Sequence, residues 1–242
     1  MSLHSLSKPK GFLPIPQELK DAETFTSYLG ISHEELRKIW WHRERMYHQF
    51  EISKAKDRTR IITAPDKRLK YIQRKIAPLL DQLYPVRNPV HGFVVGKSVK
   101  TNAQAHLQKR FVLNVDIKDF FPSISESRAT GVLESVGLSA DVSSIVSRLC
   151  CYNAHLPQGA PTSPVLSNMI CFRLDRALLA FAKEARCIYT RYADDITFSS
   201  YQPMTALFGG SVPTSGRISP VQLAPTLSAI FAANGFTINP DK

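Results

Sequence analysis

The sequence predicts an α+β fold in which helices are combined with short antiparallel strands. Helical spacing of apolar residues marks the N-terminal region and the stretch 66–83, whereas apolar or β-branched runs beside polar turns mark 47–65 and 187–200. The chain has 242 residues, of which 43% are hydrophobic. It is therefore long enough to bury a core in one or two subdomains.

The first elements are predicted from local signals. Ser32-His33-Glu34-Glu35 is a capping box that begins a helix. The runs YHQFEIS and RIITAP alternate around a polar, basic turn from Lys54 to Arg58, which predicts a hairpin. A helix follows over 66–83, because four apolar residues have helical spacing: Leu69, Ile72, Ile76 and Leu80.

Two adjacent carboxylates carry the strongest chemical signal. Asp194 and Asp195 lie between the apolar runs CIYTRY and ITFSS, where a tight hairpin would present them. Neighbouring carboxylates repel each other and lose hydration in a buried strand pair, and a divalent cation offsets both costs. The alternative is a solvated turn, in which Asp is also common.

A third carboxylate favours the metal-binding interpretation. Asp116 ends the apolar run FVLNVD, so two separate strands can bring their carboxylates together. Two Mg²⁺ ions need such an arrangement in nucleotidyl transfer. Asp119 would face the other side of a strand, and it is interpreted as a helix-start or structural carboxylate.

Composition narrows the partners and the location. The formal charge of +11 and the pI near 9.6 suit a polyanionic partner. No apolar run approaches the roughly 18 residues of a membrane span, and the first residues lack the apolar core of a signal peptide. We therefore expect a cytoplasmic protein without a membrane partner. The four cysteines lack paired spacing and are expected to be reduced core residues: Cys150, Cys151, Cys171 and Cys187.

Three segments resemble the palm motifs of reverse transcriptases in sequence and order: FVLNVDIKDFFPSI, LPQGAPTSPVLSNM and YTRYADDITFS. RIITAPDKRLKYIQ is similar to the fingers segment of that family, and GFTINPDK is similar to the start of the next palm motif. The stretch from Asn102 to His106, NAQAH, fits the Asn-Ala-x-x-His signature of bacterial retron reverse transcriptases.

The resemblance implies a right-hand polymerase with fingers and palm, an antiparallel palm sheet backed by helices, and N-terminal helices. The implied division is an N-terminal helical region over 1–50, fingers over 51–110 and an incomplete palm over 111–242. Members of the family continue through a primer-grip hairpin and a helical thumb. Because neither is present, the chain is expected to be a fragment.

The resemblance also implies nucleotide-binding residues. Arg60 resembles the family's triphosphate-binding arginine by its place before the strand IITAP, with Arg58 and Lys67 as alternatives. Any of the three could instead only solvate a turn. Gly159 is expected to let the backbone approach a ligand closely, and Gln158 to contact the nucleotide or the template base.

Four further residues match family positions. Phe121 stands where the family places the bulky residue that packs under the sugar and excludes a ribose 2′-hydroxyl, although an ordinary core residue is the alternative. Lys242 matches a candidate proton donor to the pyrophosphate leaving group. Asn102 and His106 are four residues apart, so they are expected to share a helix face and to bind RNA or to satisfy a neighbouring backbone.

The implied activity is that of an RNA-directed DNA polymerase in which Asp116, Asp194 and Asp195 hold two Mg²⁺ ions. The retron resemblance implies deoxynucleotides, a structured noncoding RNA that serves as template and primer, a single-stranded DNA product and an effector protein in antiphage defence. Two alternatives stay open: a noncatalytic RNA-binding scaffold fragment, and a group II intron-type maturase reverse transcriptase. A further alternative is that the fragment alone lacks polymerase activity.

Overall fold

The computed structural model describes residues 13–54, 58–210 and 219–240. Eight α-helices are found there: α1 (Ala22–Leu29), α2 (His33–His42), α3 (Lys67–Leu83), α4 (Val99–Gln104), α5 (Glu126–Ser135), α6 (Ala140–Cys150), α7 (Ser163–Glu184) and α8 (Pro225–Ala233). Five strands accompany them in the same ranges: β1 (Tyr47–Lys54), β2 (Arg58–Pro65), β3 (Phe111–Asp116), β4 (Ile188–Tyr192) and β5 (Asp195–Ser200). This mixture confirms the predicted α+β fold.

Two compact units divide the chain, and their segments alternate along the sequence. The first unit consists of the described parts of Met1–Pro85 together with Ile124–Met169. The second unit consists of Val86–Ser123 together with the described parts of Ile170–Lys242. The expected division into three consecutive parts stays a prediction.

In the first unit, helix starts and apolar faces follow the sequence. The Ser32 hydroxyl accepts a hydrogen bond from the Glu35 N–H at 3.1 Å, which confirms the expected start of α2. The Asp66 carboxylate accepts one from the Leu69 N–H at 2.8 Å and begins α3 in the same way. Four apolar residues of α3 are fully buried: Leu69, Ile72, Ile76 and Leu80.

Strands β1 and β2 form a two-stranded antiparallel sheet in the first unit. Its register runs from Tyr47 opposite Pro65 to Lys54 opposite Arg58, which confirms the predicted hairpin. The tip of the hairpin, 55–57, lies outside the described residues.

The second unit contains a three-stranded antiparallel sheet in the order β3-β5-β4. Its middle strand, β5, is exposed at Asp195 and buried from Ile196 to Ser200. The loop between β4 and β5 has only two residues, Ala193 and Asp194. The sheet therefore joins a buried body to a short turn that carries the adjacent carboxylates.

The four cysteines are free thiols, as expected. Burial raises the pKa of Cys150 to about 12, so this thiol stays protonated. Cys151 and Cys171 are also buried, whereas Cys187 lies after α7 and is only partly covered. The expectation that all four are core residues is therefore wrong for Cys187.

Within the described ranges, no helix combines the length and the apolar character that crossing a bilayer requires.

Candidate active site

The register of the second unit's sheet brings the predicted acidic residues together. Asp116 is the last residue of β3, and it pairs directly with Asp195, the first residue of β5. Side chains of directly opposed residues in antiparallel strands lie on the same face. Two like charges in this position repel each other unless a cation lies between them.

Asp194, in the turn, completes the cluster. One carboxylate oxygen from each of Asp116, Asp194 and Asp195 lies within 4.8 Å of the others. Asp116 is buried, Asp194 is partly buried and Asp195 is exposed. The cluster therefore combines a carboxylate within the protein with one that solvent reaches. Three converging carboxylates are hard oxygen ligands, which fit a divalent cation such as Mg²⁺.

Asp119 lies apart from this cluster. It is exposed and occupies a turn with φ of +46°. The helix that follows, α5, begins only at Glu126. The helix-start interpretation of Asp119 is therefore wrong, and the interpretation as a structural carboxylate stays a prediction. Among the described residues, the carboxylate cluster consists of Asp116, Asp194 and Asp195 without Asp119.

The turn that carries Asp194 has a constrained backbone. Ala193 has φ of +56°, a left-handed conformation that is uncommon for residues other than glycine. The Asp194 carbonyl accepts a hydrogen bond from the Ile117 N–H at 3.0 Å. The residue that follows β3 therefore fixes the turn through its backbone.

Gly92 is a residue of this site that the sequence reasoning missed. A Cβ added at Gly92 would lie 2.2 Å from the Ala193 nitrogen and 2.9 Å from the Tyr192 carbonyl carbon. Only glycine allows the backbone to pass so close beneath the turn. The signal was available in the motif HGFVVG, although nothing local indicates what the glycine contacts.

Asn239 was also missed. Its side-chain amide donates a hydrogen bond to Asp116 Oδ2 at 2.8 Å, and its backbone N–H donates one to the Asp116 carbonyl at 2.8 Å. Ile238 forms an antiparallel bridge with Ile117. The segment GFTINPDK, noticed only as a motif, thus orients one of the three carboxylates.

Phe121 belongs to the second unit, like the carboxylate cluster, and is only partly buried. Its ring centroid lies 5.2 Å from that of buried Phe120 and 6.0 Å from that of Phe93. Phe93 itself is 42% exposed and has φ of +60°. Phe121 is therefore supported by aromatic neighbours and keeps a solvent-accessible side, as the sugar-contacting role requires.

The expectation that Asn102 and His106 share a helix face is wrong. Helix α4 ends at Gln104, so His106 lies in the following turn and shares no helix face with Asn102. The His106 ring is buried, with Nδ1 2.6 Å from the Ser199 hydroxyl and Nε2 2.7 Å from the Thr190 hydroxyl. Burial lowers the pKa of His106, with Lys109 and His91 adding to the effect. This geometry fits a structural histidine between two strands.

The nucleotide-binding candidates other than Phe121 lie in the first unit. Arg60 is partly buried on β2 and pairs with Ile52. The Gln158 carbonyl accepts a hydrogen bond from the Thr63 N–H on the same strand at 2.8 Å. A Cβ at Gly159 would lie 2.8 Å from Ile62 Cγ2, so the close approach that this glycine permits is to β2.

The structure describes less of the three remaining candidates, Lys67, Arg58 and Lys242. Lys67 is exposed at the first position of α3. The side chain of Arg58 and the whole of Lys242 lie outside the described residues.

Comparison with known proteins defines the class. The family model for reverse transcriptase (RNA-dependent DNA polymerase) matches residues 52–242. The chain belongs to the reverse transcriptase family.

Individual relatives carry the retron name, which agrees with the resemblance read from NAQAH. The chain is 37% identical to the retron Mx162 reverse transcriptase of Myxococcus xanthus, over 93% of this chain and 50% of the relative. It is 37% identical to the retron Ec86 reverse transcriptase of Escherichia coli, over 78% of this chain and 58% of the relative. The chain thus spans about half the length of the curated relatives it matches.

Proposed function

We propose that the protein of which this chain is a part is an RNA-directed DNA polymerase of the retron type. One observation carries the proposal: Asp116, Asp194 and Asp195 converge within 4.8 Å in a segment that matches the reverse transcriptase family. The retron names of its relatives support the narrower type.

Asp116, Asp194 and Asp195 are the residues that would hold two Mg²⁺ ions. When bound, such ions activate the primer hydroxyl and stabilise the charge of the triphosphate and the pyrophosphate. The protein's own contribution is to place the carboxylates beforehand. The Asn239 amide orients Asp116, and the Ile117 N–H fixes the carbonyl of Asp194. Preorganised ligands of this kind reduce the cost of assembling the site during the reaction.

The nucleotide would be positioned by other residues. Arg60 is proposed to bind the triphosphate, because guanidinium groups pair well with phosphate oxygens. Gln158 and Gly159, held against β2, are proposed to border the nucleotide, and Phe121 to exclude a ribose 2′-hydroxyl. Lys242 is proposed as the proton donor to the pyrophosphate.

The proposed substrates and partners follow the retron type. A structured noncoding RNA would provide template and primer, deoxynucleotides would be consumed, and single-stranded DNA would be made. We further propose a cytoplasmic location and a role with an effector protein in antiphage defence. In this assignment, 51–110 acts as fingers and 111–242 as the palm.

Primer extension on an RNA template tests the polymerase proposal. The complete natural polypeptide that contains this chain should extend a primer with deoxynucleotides and Mg²⁺, and Asp194→Asn should reduce the rate by at least about 100-fold, because one charged ligand is lost. Asp119→Asn is the matched control, since Asp119 is exposed outside the cluster and Asn tolerates its left-handed φ.

The possible results separate the alternatives. Extension that survives Asp194→Asn would refute the two-metal assignment. RNA binding without any extension by the unsubstituted polypeptide would favour the noncatalytic scaffold. Extension together with assistance to intron splicing would favour the maturase type.

A further inference from the structure

A buried ion pair lies beside the turn that carries the metal-binding carboxylates. Arg191 on β4 and Asp175 on α7 are both 0% exposed. Arg191 Nε donates to Asp175 Oδ1 at 2.6 Å, and Nη2 donates to Oδ2 at 2.8 Å. The Tyr189 hydroxyl also donates to Asp175 Oδ1, at 2.7 Å. Both components of this pair therefore have fixed orientations.

The same guanidinium reaches the turn itself. Arg191 Nη1 donates to the Ala193 carbonyl at 3.0 Å. Ala193 is the residue with the left-handed φ of +56°, and its carbonyl forms the peptide link to Asp194. One planar group thus connects a fixed carboxylate in α7 to the backbone immediately before Asp194.

The backbone of Arg191 is hydrogen-bonded to the segment 89–92. Its N–H donates to the Pro89 carbonyl at 2.9 Å, and its carbonyl accepts from the His91 N–H at 2.8 Å. Gly92 then passes directly against Ala193. The turn is consequently enclosed between the guanidinium of Arg191 and the segment 89–92.

Stability alone does not account for this pair. Removing two charges from water is costly, and well-packed apolar residues of similar volume often serve a buried position as well. Burial opposes the charge of Arg191, but the attraction of Asp175 raises its pKa well above the usual value, so the group stays charged. What apolar residues cannot supply is the set of in-plane donors that a guanidinium offers.

We propose that Arg191 and Asp175 are positioning residues that keep the Ala193-Asp194 turn in the conformation that binds metal before any metal arrives. The proposal deepens the proposed function, because it assumes that the carboxylate cluster is a metal site. It assigns a role to two fully buried residues outside the carboxylate cluster.

A charge-free pair tests the proposal. The double variant Asp175→Asn/Arg191→Met removes both charges, nearly keeps side-chain volume and leaves the Tyr189 hydroxyl an acceptor. Because the Ala193 carbonyl loses its donor, the thermal midpoint should fall by about 2–12 °C, while unfolding stays cooperative. Its affinity for Mn²⁺, measured by electron paramagnetic resonance at the site that Asp194→Asn abolishes, should fall by about 10- to 100-fold. The control is Arg43→Met/Glu126→Leu, which removes a largely buried pair of the first unit (2.8 Å) and should leave Mn²⁺ affinity unchanged.

The results distinguish this proposal from the function on which it rests. Unchanged Mn²⁺ affinity in a folded double variant would overturn the positioning role alone. If the parent chain showed no Mn²⁺ site sensitive to Asp194→Asn, the metal centre itself would be refuted.

A measurement on the unsubstituted chain covers the case in which the double variant does not fold. The Ile117 N–H, bonded to the Asp194 carbonyl, and the His91 N–H, bonded to the Arg191 carbonyl, report on the turn. By nuclear magnetic resonance, both should exchange with solvent as slowly without Mg²⁺ as the amides inside β5. Fast exchange that becomes slow only after Mg²⁺ is added would show that metal forms the turn, and the proposal would fail.

Discussion

The protein contains two antiparallel hairpins that differ sharply in burial. The β1–β2 hairpin, which carries Arg60, has long strands and leaves three large apolar side chains substantially exposed: Phe50 at 44%, Ile52 at 48% and Ile61 at 55%. The β4–β5 hairpin, which carries Asp194 and Asp195, is shorter, and Ile196 and Phe198 within it are 0% exposed. The hairpin that carries two carboxylates of the cluster is thus the one whose β5 strand is buried beyond its first residue.

The difference follows from what surrounds each hairpin. Strand β5 is bordered by β3 on one side and β4 on the other, and residues 89–92 run along β4. The described part of β1–β2 pairs only with itself, with the loop of Gln158 and Gly159 contacting β2 near its end. A two-stranded sheet has no central strand that is hydrogen-bonded on both edges, so its backbone is less enclosed than that of a three-stranded sheet.

The comparison suggests a division of roles. Metal ligands must be held within about 0.5 Å of the productive geometry, which a short turn on a buried three-stranded sheet provides. A residue that binds each incoming nucleotide and releases the pyrophosphate benefits from an element that can move. We therefore expect substitutions in β4–β5 to affect metal binding and folding, and those in β1–β2 to affect nucleotide binding.

The largest effect on the carboxylate cluster is expected for Gly92→Ala. The new Cβ would lie 2.2 Å from the Ala193 nitrogen, so the turn has to shift, and stability should fall by about 3 kcal/mol. Thermal unfolding and Mn²⁺ affinity are the measurements, and Mn²⁺ binding should be lost. The matched control is Gly131→Ala in α5, where no atom lies within 4 Å; it should stabilise the chain by about 0.5–1 kcal/mol. Equal effects of the two variants would contradict the close approach at the turn.

A pair of isoleucines compares the hairpins directly. Ile196→Ala in β5 should cost about 2–5 kcal/mol because it leaves a cavity around a fully buried side chain. Ile61→Ala in β2 removes the same atoms from a side chain that is 55% exposed, and should cost about 0.5 kcal/mol or less. Urea denaturation of both variants gives the free energies of unfolding. A similar cost at the two positions would remove the contrast on which the comparison rests.

Gly159→Ala should affect the β1–β2 hairpin selectively. The new methyl would lie 2.8 Å from Ile62 Cγ2. Residue 159 also has φ of +134°, a conformation that side chains other than glycine rarely adopt, so the free energy of unfolding should fall by about 1–3 kcal/mol. In steady-state primer extension by the complete polypeptide, KM for the deoxynucleotide should rise. Mn²⁺ affinity should stay at the parent value, because all three carboxylates belong to the second unit. A loss of Mn²⁺ binding would show that the two hairpins do not act separately.

The smallest expected effect is a pH dependence from His106. Because burial lowers its pKa in the folded chain, the unfolded state binds the proton more readily once the pH falls below about 6.5. The stabilising contribution of the neutral ring is therefore complete above that pH and declines as the pH falls further. The free energy of unfolding should be measured from pH 7.5 to 5.5 for the parent chain and for His106→Gln, whose curve should be flatter. Parallel curves would refute this role of His106.

The local features were predictable from the sequence. The strand pair around Asp194 and Asp195 follows from two apolar runs separated by a short turn, and the end of β3 at Asp116 follows from a third such run. Ser32 and Asp66 precede their helices with the side chains that cap them. Such signals reside in a few consecutive residues, where backbone geometry limits the outcomes.

The failures share a different cause. The end of α4 at Gln104 separated His106 from the helix face assumed for it, and His106 instead bonds strand hydroxyls that lie 84 and 93 residues away in sequence. The Asn239 contact with Asp116 spans 123 residues. Nothing in the sequence near either residue specifies such a partner.

By itself, the sequence determined the reverse transcriptase motifs, the acidic residues and the strands that end in them, because hydrophobic periodicity and turn chemistry act over a few residues. Only the tertiary structure decided that Asp116 meets Asp195, that Gly92 passes beneath Ala193, and that Arg191 links Asp175 to the turn. The physical reason is that these contacts depend on strand register and on the packing of segments far apart in the chain.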